Sequence, residues 1–218
     1  MIEIKNLCKS YPAVPLYENF SLTVKDGEIL CILGESGSGK TTLLNVIAGL
    51  TDFKGEVPAL KCGYIFQSPR LVPNLTVEGN LKLVCKDEDK IASMLNRVKL
   101  ADKAKSYPLQ LSGGQAQRVA IARAFLFGGD VILMDEPFAS LDLKLKREMS
   151  ELFFEVWQEN KPSVVFVTHD VDEAVNVGSR IAVLSHGKIV WDYIPDNPPP
   201  RADDESLRKN LISVLLSC

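Results

Sequence analysis

Apolar positions along this chain follow two rhythms. Short runs at 2–4, 21–24 and 29–33 come first, broken by the turn pair Asp26-Gly27. Together they predict a small antiparallel sheet. The last run, Leu30-Cys31-Ile32-Leu33, leads into a glycine-rich stretch and then an apolar helical segment ending at Ala48, which reads as strand, loop, helix. Further strands are predicted at 63–66, 131–134, 164–168, 180–184 and 188–193. Between 66 and 131 the rhythm changes. Residues 76–84, 87–98 and 113–127 read as helices with no strand among them, so the region at about 68–128 is expected to be a helical insertion into an α/β core. Residues 141–158 form another long helix, placed before the 164 strand as a parallel crossover would be.

At Pro195 the pattern stops. Asp196-Asn197-Pro198-Pro199-Pro200 suits neither a helix nor a central strand and reads as a linker. Beyond it, Asp203-Asp204-Glu205-Ser206 can open a final helix with Leu207, Leu211, Ile212, Leu215 and Leu216 on one face, a stripe expected to pack. The expected division is an α/β domain over 1–194 and a linker with a terminal helix over 195–218.

Composition narrows the class. The 218 residues are enough for one large α/β domain, and 25 basic against 28 acidic side chains give a net charge of −3, so no global field steers the chain to nucleic acid. The N-terminus alternates like a strand and has no signal-peptide centre, and no apolar run approaches the ~20 residues of a membrane span. Cys8, Cys31, Cys62, Cys85 and Cys218 stand singly, which argues for reduced thiols in a cytoplasmic setting, with Cys31 and Cys62 read as buried small hydrophobes.

Gly34-Glu35-Ser36-Gly37-Ser38-Gly39-Lys40-Thr41 fits G-x-x-x-x-G-K-[ST] directly after an apolar strand. Glycines let successive backbone N–H groups turn toward phosphate oxygens, and the following helix aims its positive end at the same place. Lys40 can then reach the β and γ phosphates, and the Thr41 hydroxyl can coordinate Mg2+. With Thr42 next in line, residues 34–42 form the candidate ATP-binding set. A second apolar strand ends in Asp135-Glu136. Beside a phosphate loop, Asp135 is a candidate Mg2+ ligand and Glu136 a candidate general base toward the attacking water. Ser112-Gly113-Gly114-Gln115 opens a helix and reads alone either as an anion-binding turn or as an ordinary cap.

Taken together, these motifs resemble the ATPase subunit of an ATP-binding cassette transporter, a P-loop NTPase core with a small antiparallel β subdomain and an inserted helical subdomain. Residues 34–41 resemble the Walker A loop, 133–136 the end of Walker B and 111–115 the signature motif. Gln67 resembles the Q-loop glutamine, Ser140-Leu141-Asp142 the D-loop, and His169 the switch histidine. Tyr11 sits where the family places an adenine-stacking aromatic, although a tyrosine there also suits packing on the small sheet. The resemblance implies a head-to-tail dimer with each ATP between one Walker A loop and the other copy's signature. Ser112, Gly113, Gly114, Gln115 and Asp142 would then meet the partner's nucleotide, Gln67 would help hold Mg2+, and His169 would stabilise the γ-phosphate and attacking water. His186 has no counterpart and reads as a turn residue.

Residues 137–142 and 166–175, with Pro199-Pro200-Arg201, are most similar to the nitrate, sulfonate and taurine importers, and Asn74 departs from them where many relatives carry an aromatic. The expected partners are a second copy or a homologous ATPase, a membrane permease and a solute-binding protein, with no nucleic acid. The expected place is the cytoplasmic face of the membrane. An exporter or lipoprotein-release ATPase shares the same catalytic residues. A cassette acting on DNA or ribosomes usually carries basic extensions or a coiled coil that this sequence lacks.

Overall fold

A computed structural model describes residues 1–12, 14–201 and 204–217. Two alternating strands, β1 (Ile2–Tyr11) and β2 (Val14–Val24), pair antiparallel, and the short β4 (Lys54–Glu56) adds to the other edge of β1. The main sheet is built from β3 (Ile29–Leu33), β5 (Cys62–Ile65), β6 (Val131–Asp135), β7 (Ser163–Thr168), β8 (Arg180–Ser185) and β9 (Lys188–Tyr193) in the order β5-β6-β7-β3-β8-β9, parallel except for β9.

The run at 29–33 therefore leaves the antiparallel sheet expected for it and becomes a central strand between β7 and β8. The reason is visible in its burial. Every residue of β3 is buried, the mark of a strand covered on both faces, whereas β1 and β2 alternate. The Asp26-Gly27 turn thus joins two sheets rather than closing a hairpin. β4 has no counterpart among the strands expected from sequence, because Lys54, Gly55 and Glu56 are all exposed and carry no apolar alternation.

Alternate residues of the central strands feed two separate cores. Leu30, Ile32, Leu133, Val165, Val167 and Ala182 face α1 (Lys40–Ile47) and the inner side of β1 and β2. Cys31, Leu33, Ile132, Met134, Val164 and Phe166 face the other helices: α2 (Val77–Lys82), α3 (Glu88–Arg97), α4 (Gly113–Phe127), α5 (Leu143–Trp157), α6 (Val171–Val177) and α7 (Glu205–Leu216). Among the described residues, helices and two short 3-10 turns fill the chain between β5 and β6.

Two finer expectations change. Leu207 and Leu211 of α7 are buried and Leu215 is partly covered, but Ile212 is 43% and Leu216 85% exposed. Five and nine positions past Leu207 they have turned away from the packed stripe. Cys31 is buried as expected, while Cys62 is half-buried, with its thiol pushed up to about 11 by that partial burial. Asp203 and Cys218 lie outside the described residues.

Phe166 of β7 is fully buried with its ring centroid 5.7 Å from that of Phe138, which directly follows the Asp135-Glu136-Pro137 turn. Phe166→Ala should lower unfolding free energy by about 3–5 kcal/mol in a denaturant titration. A loss below about 1 kcal/mol would show that this contact does not hold the turn.

Candidate functional site

The three loops that leave β3, β6 and β7 converge at one edge of the sheet, because parallel strands deliver their C-terminal ends to the same side. The strand ladder runs on into them. The Gly34 N–H donates to the Thr168 carbonyl at 3.3 Å, and the Glu136 N–H to the Val167 carbonyl at 2.9 Å.

Lys40 is buried, and its ammonium donates to the carbonyls of Gly34 and Glu35 at 2.8 Å each, inside the loop it belongs to. Burial lowers its pKa, and the nearby Glu136 and Asp135 oppose that shift. The Thr41 hydroxyl donates to Asp135 Oδ1 at 2.9 Å. Burial raises the Asp135 carboxyl above its usual range, partly offset by that hydrogen bond. Ser38 Oγ is buried without a partner, an acceptor and donor left open in the middle of the loop. Gly39 has a φ of 108°, and a Cβ there would come within 2.7 Å of the Tyr17 hydroxyl, which itself donates to the Gly39 carbonyl at 3.0 Å. Glycine at this position is therefore required twice, by conformation and by space.

Glu136 adopts φ 44°, a left-handed backbone for a non-glycine residue, beside the phosphate loop. Its Oε1 lies 3.8 Å from Lys40 Nζ and its Oε2 3.0 Å from His169 Nδ1. This pair depends on strand register and leaves no mark in the sequence pattern. Its neighbours are tied down as well. The Thr168 hydroxyl donates to Glu173 Oε2 at 2.7 Å and accepts from the Asp170 N–H at 3.0 Å. Lys146 Nζ sits 2.6 Å from Asp170 and 2.9 Å from Glu173. Lys146 and Glu173 lie in separate segments, and nothing in the sequence marks them as partners.

Tyr11 is half exposed, with its hydroxyl 3.2 Å from Thr42 Oγ1 and Lys9 Nζ 5.4 Å from its ring centroid. Gln67 is exposed and follows β5, the strand paired with β6. The turn after it is held by Arg123 of α4, which donates to the Pro69 and Arg70 carbonyls at 3.2 and 3.1 Å.

The Ser112 turn is elsewhere. Ser112 and Gln115 close a capping box at the start of α4, and α4 lies on the face of the sheet opposite α1. A Cβ on Gly114 would meet Leu145 at 2.7 Å, so this turn is pressed against α5, whose N-cap is Asp142. One chain thus places its phosphate loop and its second glycine turn apart.

The family model described as ABC transporter matches residues 17–139. The chain is 40% identical over 226 residues to the aliphatic sulfonates import ATP-binding protein SsuB 1 of Paracoccus denitrificans, covering 98% of this chain and 93% of that protein. It is 41% identical over 229 residues to the aliphatic sulfonates import ATP-binding protein SsuB of Bacillus cereus, covering 95% and 91%. Among solved structures it resembles the dimeric structure of a bacterial ABC transporter cassette, with TM-score 0.77, 34% identity, and 89% and 98% of the two chains covered. A post-hydrolysis dimeric cassette bound to ADP and Pi matches with the same TM-score at 33% identity, again over 89% and 98% of the two chains.

Lys146→Met should cost about 3 kcal/mol at pH 8, because it strands the buried Glu173 carboxylate. Burial already raises the Glu173 pKa, so the folded state holds this proton more tightly than the unfolded chain. The penalty should therefore shrink as pH falls through the folded pKa and Glu173 becomes neutral. Denaturant melts of both proteins across pH 5–8 check this, and a penalty independent of pH would assign the loss to packing.

Proposed function

The chain belongs to the ABC transporter family, and from that membership we propose that it drives uptake of an aliphatic sulfonate through a membrane permease. It is an ATPase, the energy-coupling subunit of an importer. The observation that carries the catalytic assignment is the meeting of Lys40, Glu136 and His169 beside the Thr41–Asp135 pair at one sheet edge.

In this reading the backbone N–H groups of residues 34–42 and the Ser38 hydroxyl receive the phosphates, and Lys40 exchanges its two loop carbonyls for phosphate oxygens. That exchange removes Lys40 from Glu136. Glu136 then accepts the proton of the attacking water, with His169 holding its other oxygen. Thr41, Asp135 and Gln67 would hold Mg2+, which neutralises phosphate charge when bound. The donor set suits that ion. A hydroxyl and one carboxylate raised by burial leave the remaining coordination to phosphate and water, and the described residues include no cluster of three His, Cys, Asp or Glu able to hold a metal by themselves. Tyr11 stacks on the adenine.

A second copy completes the site. With Ser112, Gly113, Gly114 and Gln115 on the far face from α1, their route to a γ-phosphate is the one bound by a partner, with Asp142 beside them at the junction. The dimeric form of the similar cassette supports this arrangement. No helix of the described residues is long and apolar enough to cross a membrane. The import names of the similar proteins support a place for this subunit on the cytoplasmic face, beside permease chains that span the membrane. A solute-binding protein delivers the sulfonate, and the names of the similar proteins support import of that class.

Glu136→Gln should reduce ATP turnover about 10²–10⁴-fold while ATP binding persists, and the ATP-bound protein should run as a dimer by light scattering. Ser112→Arg should keep ATP binding within about two-fold yet stay monomeric, because each chain's own loop is intact. Full turnover in a strictly monomeric sample would sink the shared site. Vesicles carrying the co-purified permease and binding protein should accumulate ethanesulfonate with the native chain and none with Lys40→Ala.

A further inference from the structure

The Pro-Pro-Arg segment plays no part in the site described above, yet Arg201 is only 7% exposed. Its guanidinium grips the end of α6. Nη1 donates to the Val175 carbonyl and Nη2 to the Gly178 carbonyl, each at 2.8 Å, and Nε donates to the Asn197 carbonyl. The Val175 carbonyl is one that α6 leaves over, because the Ser179 N–H, four residues on, donates to Ile29 instead at 2.9 Å. A buried planar fork satisfying helix-terminal carbonyls is a geometry that lysine cannot reproduce in full. The helix that follows adds a second hold. Leu207 and Leu211 are buried in the core that contains Ala174 and Val175, and Arg208 Nε lies 2.7 Å from Asp172 Oδ1 in the first turn of α6.

The tail therefore holds α6 at both ends. This helix has seven residues, about 10 Å, and it starts two positions after His169. Asp170 caps it, and Glu173 on its first turn takes the Thr168 hydroxyl, so the residues on either side of His169 are fastened to the same short rod. A shift of α6 along its axis moves the His169 backbone with it, and with that the 3.0 Å contact to Glu136.

We propose that the C-terminal segment is a positioning strap for His169, anchored by Arg201 and assisted by Arg208, and acting through α6. The consequence for catalysis rests on the hydrolytic role given to His169 above, while the positioning does not. Under the competing account Arg201 merely fastens the tail, and its loss lowers stability without changing the surroundings of His169.

The chain holds two histidines, so a histidine-labelled sample gives two ring signals, assigned by His169→Gln. In Arg201→Gln the His169 signal should move by more than its linewidth. The kcat for ATP should fall about five-fold or more while the ATP Kd holds within about two-fold, and Arg201→Lys should recover part of both changes. Arg208→Gln, which removes only the half-exposed pair with Asp172, should move the same signal less, and it serves as the test if Arg201→Gln does not fold. An unmoved His169 signal in the folded variants overturns the proposal, whatever turnover does. A signal that moves while turnover stays constant supports the strap and removes the hydrolytic role of His169 instead.

Discussion

Strand β3 is buried on both faces along its whole length, and the ladder it shares with β7 fixes where the loops of the site begin. Leu33 pairs with Thr168, and β6 pairs Asp135 with Val167. Those registers place the start of the phosphate loop, the Glu136 turn and the His169 turn at a common level. A slip of one residue would exchange the two cores, sending Leu30, Ile32, Val165 and Val167 to the wrong side of the sheet. Precision at the site is thus enforced by apolar burial several residues away. Each fully buried Val, Leu or Ile in those strands contributes about 1.5–3 kcal/mol toward the register that brings Glu136 within reach of His169.

The polar groups at that edge are arranged around an unfinished balance of charge. Lys40 is buried with its pKa lowered by desolvation, and Asp135 is buried with its pKa raised by the same cause. Glu136 and Asp135 offset part of the shift on Lys40, and the Thr41 hydrogen bond and Lys40 offset part of that on Asp135, whereas Glu136 adds to it. A desolvated ammonium beside a desolvated carboxylate is an arrangement a core avoids unless geometry is exact or function requires it. The left-handed backbone at Glu136 and the unpartnered Ser38 hydroxyl are further local costs in the same few residues. Behind His169, by contrast, Asp170 and Glu173 share the Lys146 ammonium at 2.6 and 2.9 Å, and Glu173 also accepts from the Thr168 hydroxyl. That group ties α5 to α6 and holds the frame of the site.

What could be read from sequence was what is contiguous. The phosphate loop, the strand ending in Asp135-Glu136 and the capped start of α4 each carry their chemistry within a few residues, so pattern alone located them. Contacts that depend on register were invisible. The pairing of Glu136 with His169, the seat of the Tyr17 hydroxyl on the Gly39 carbonyl, and the reach of Lys146 to Glu173 all join distant segments. The run at 29–33 is legible as a strand, but its neighbours in the chain suggest the antiparallel sheet, whereas its unbroken apolar character suits the parallel core. In α7, five apolar residues on a two-sided helix do not say which side finds a partner, and only Leu207, Leu211 and, in part, Leu215 find one. The register of packing against α6 decided it.

Separation of the two glycine turns onto opposite faces has a mechanical corollary. Helix α4 begins at the Ser112 turn and carries Arg123 ten residues after Gly113, where its guanidinium is bonded to the carbonyls of the turn that follows Gln67. Burial lowers the Arg123 pKa, so this cation is held in a partly dehydrated place by those two carbonyls. The Ser112 turn and the Gln67 turn are therefore fixed to one rigid rod, packed in the core opposite α1. Displacing the first cannot leave the second behind unless these hydrogen bonds break. A sheet covered on both faces thus does more than collect loops at one edge, since it also sets α4 and the two turns it carries in a layer across the strands from α1.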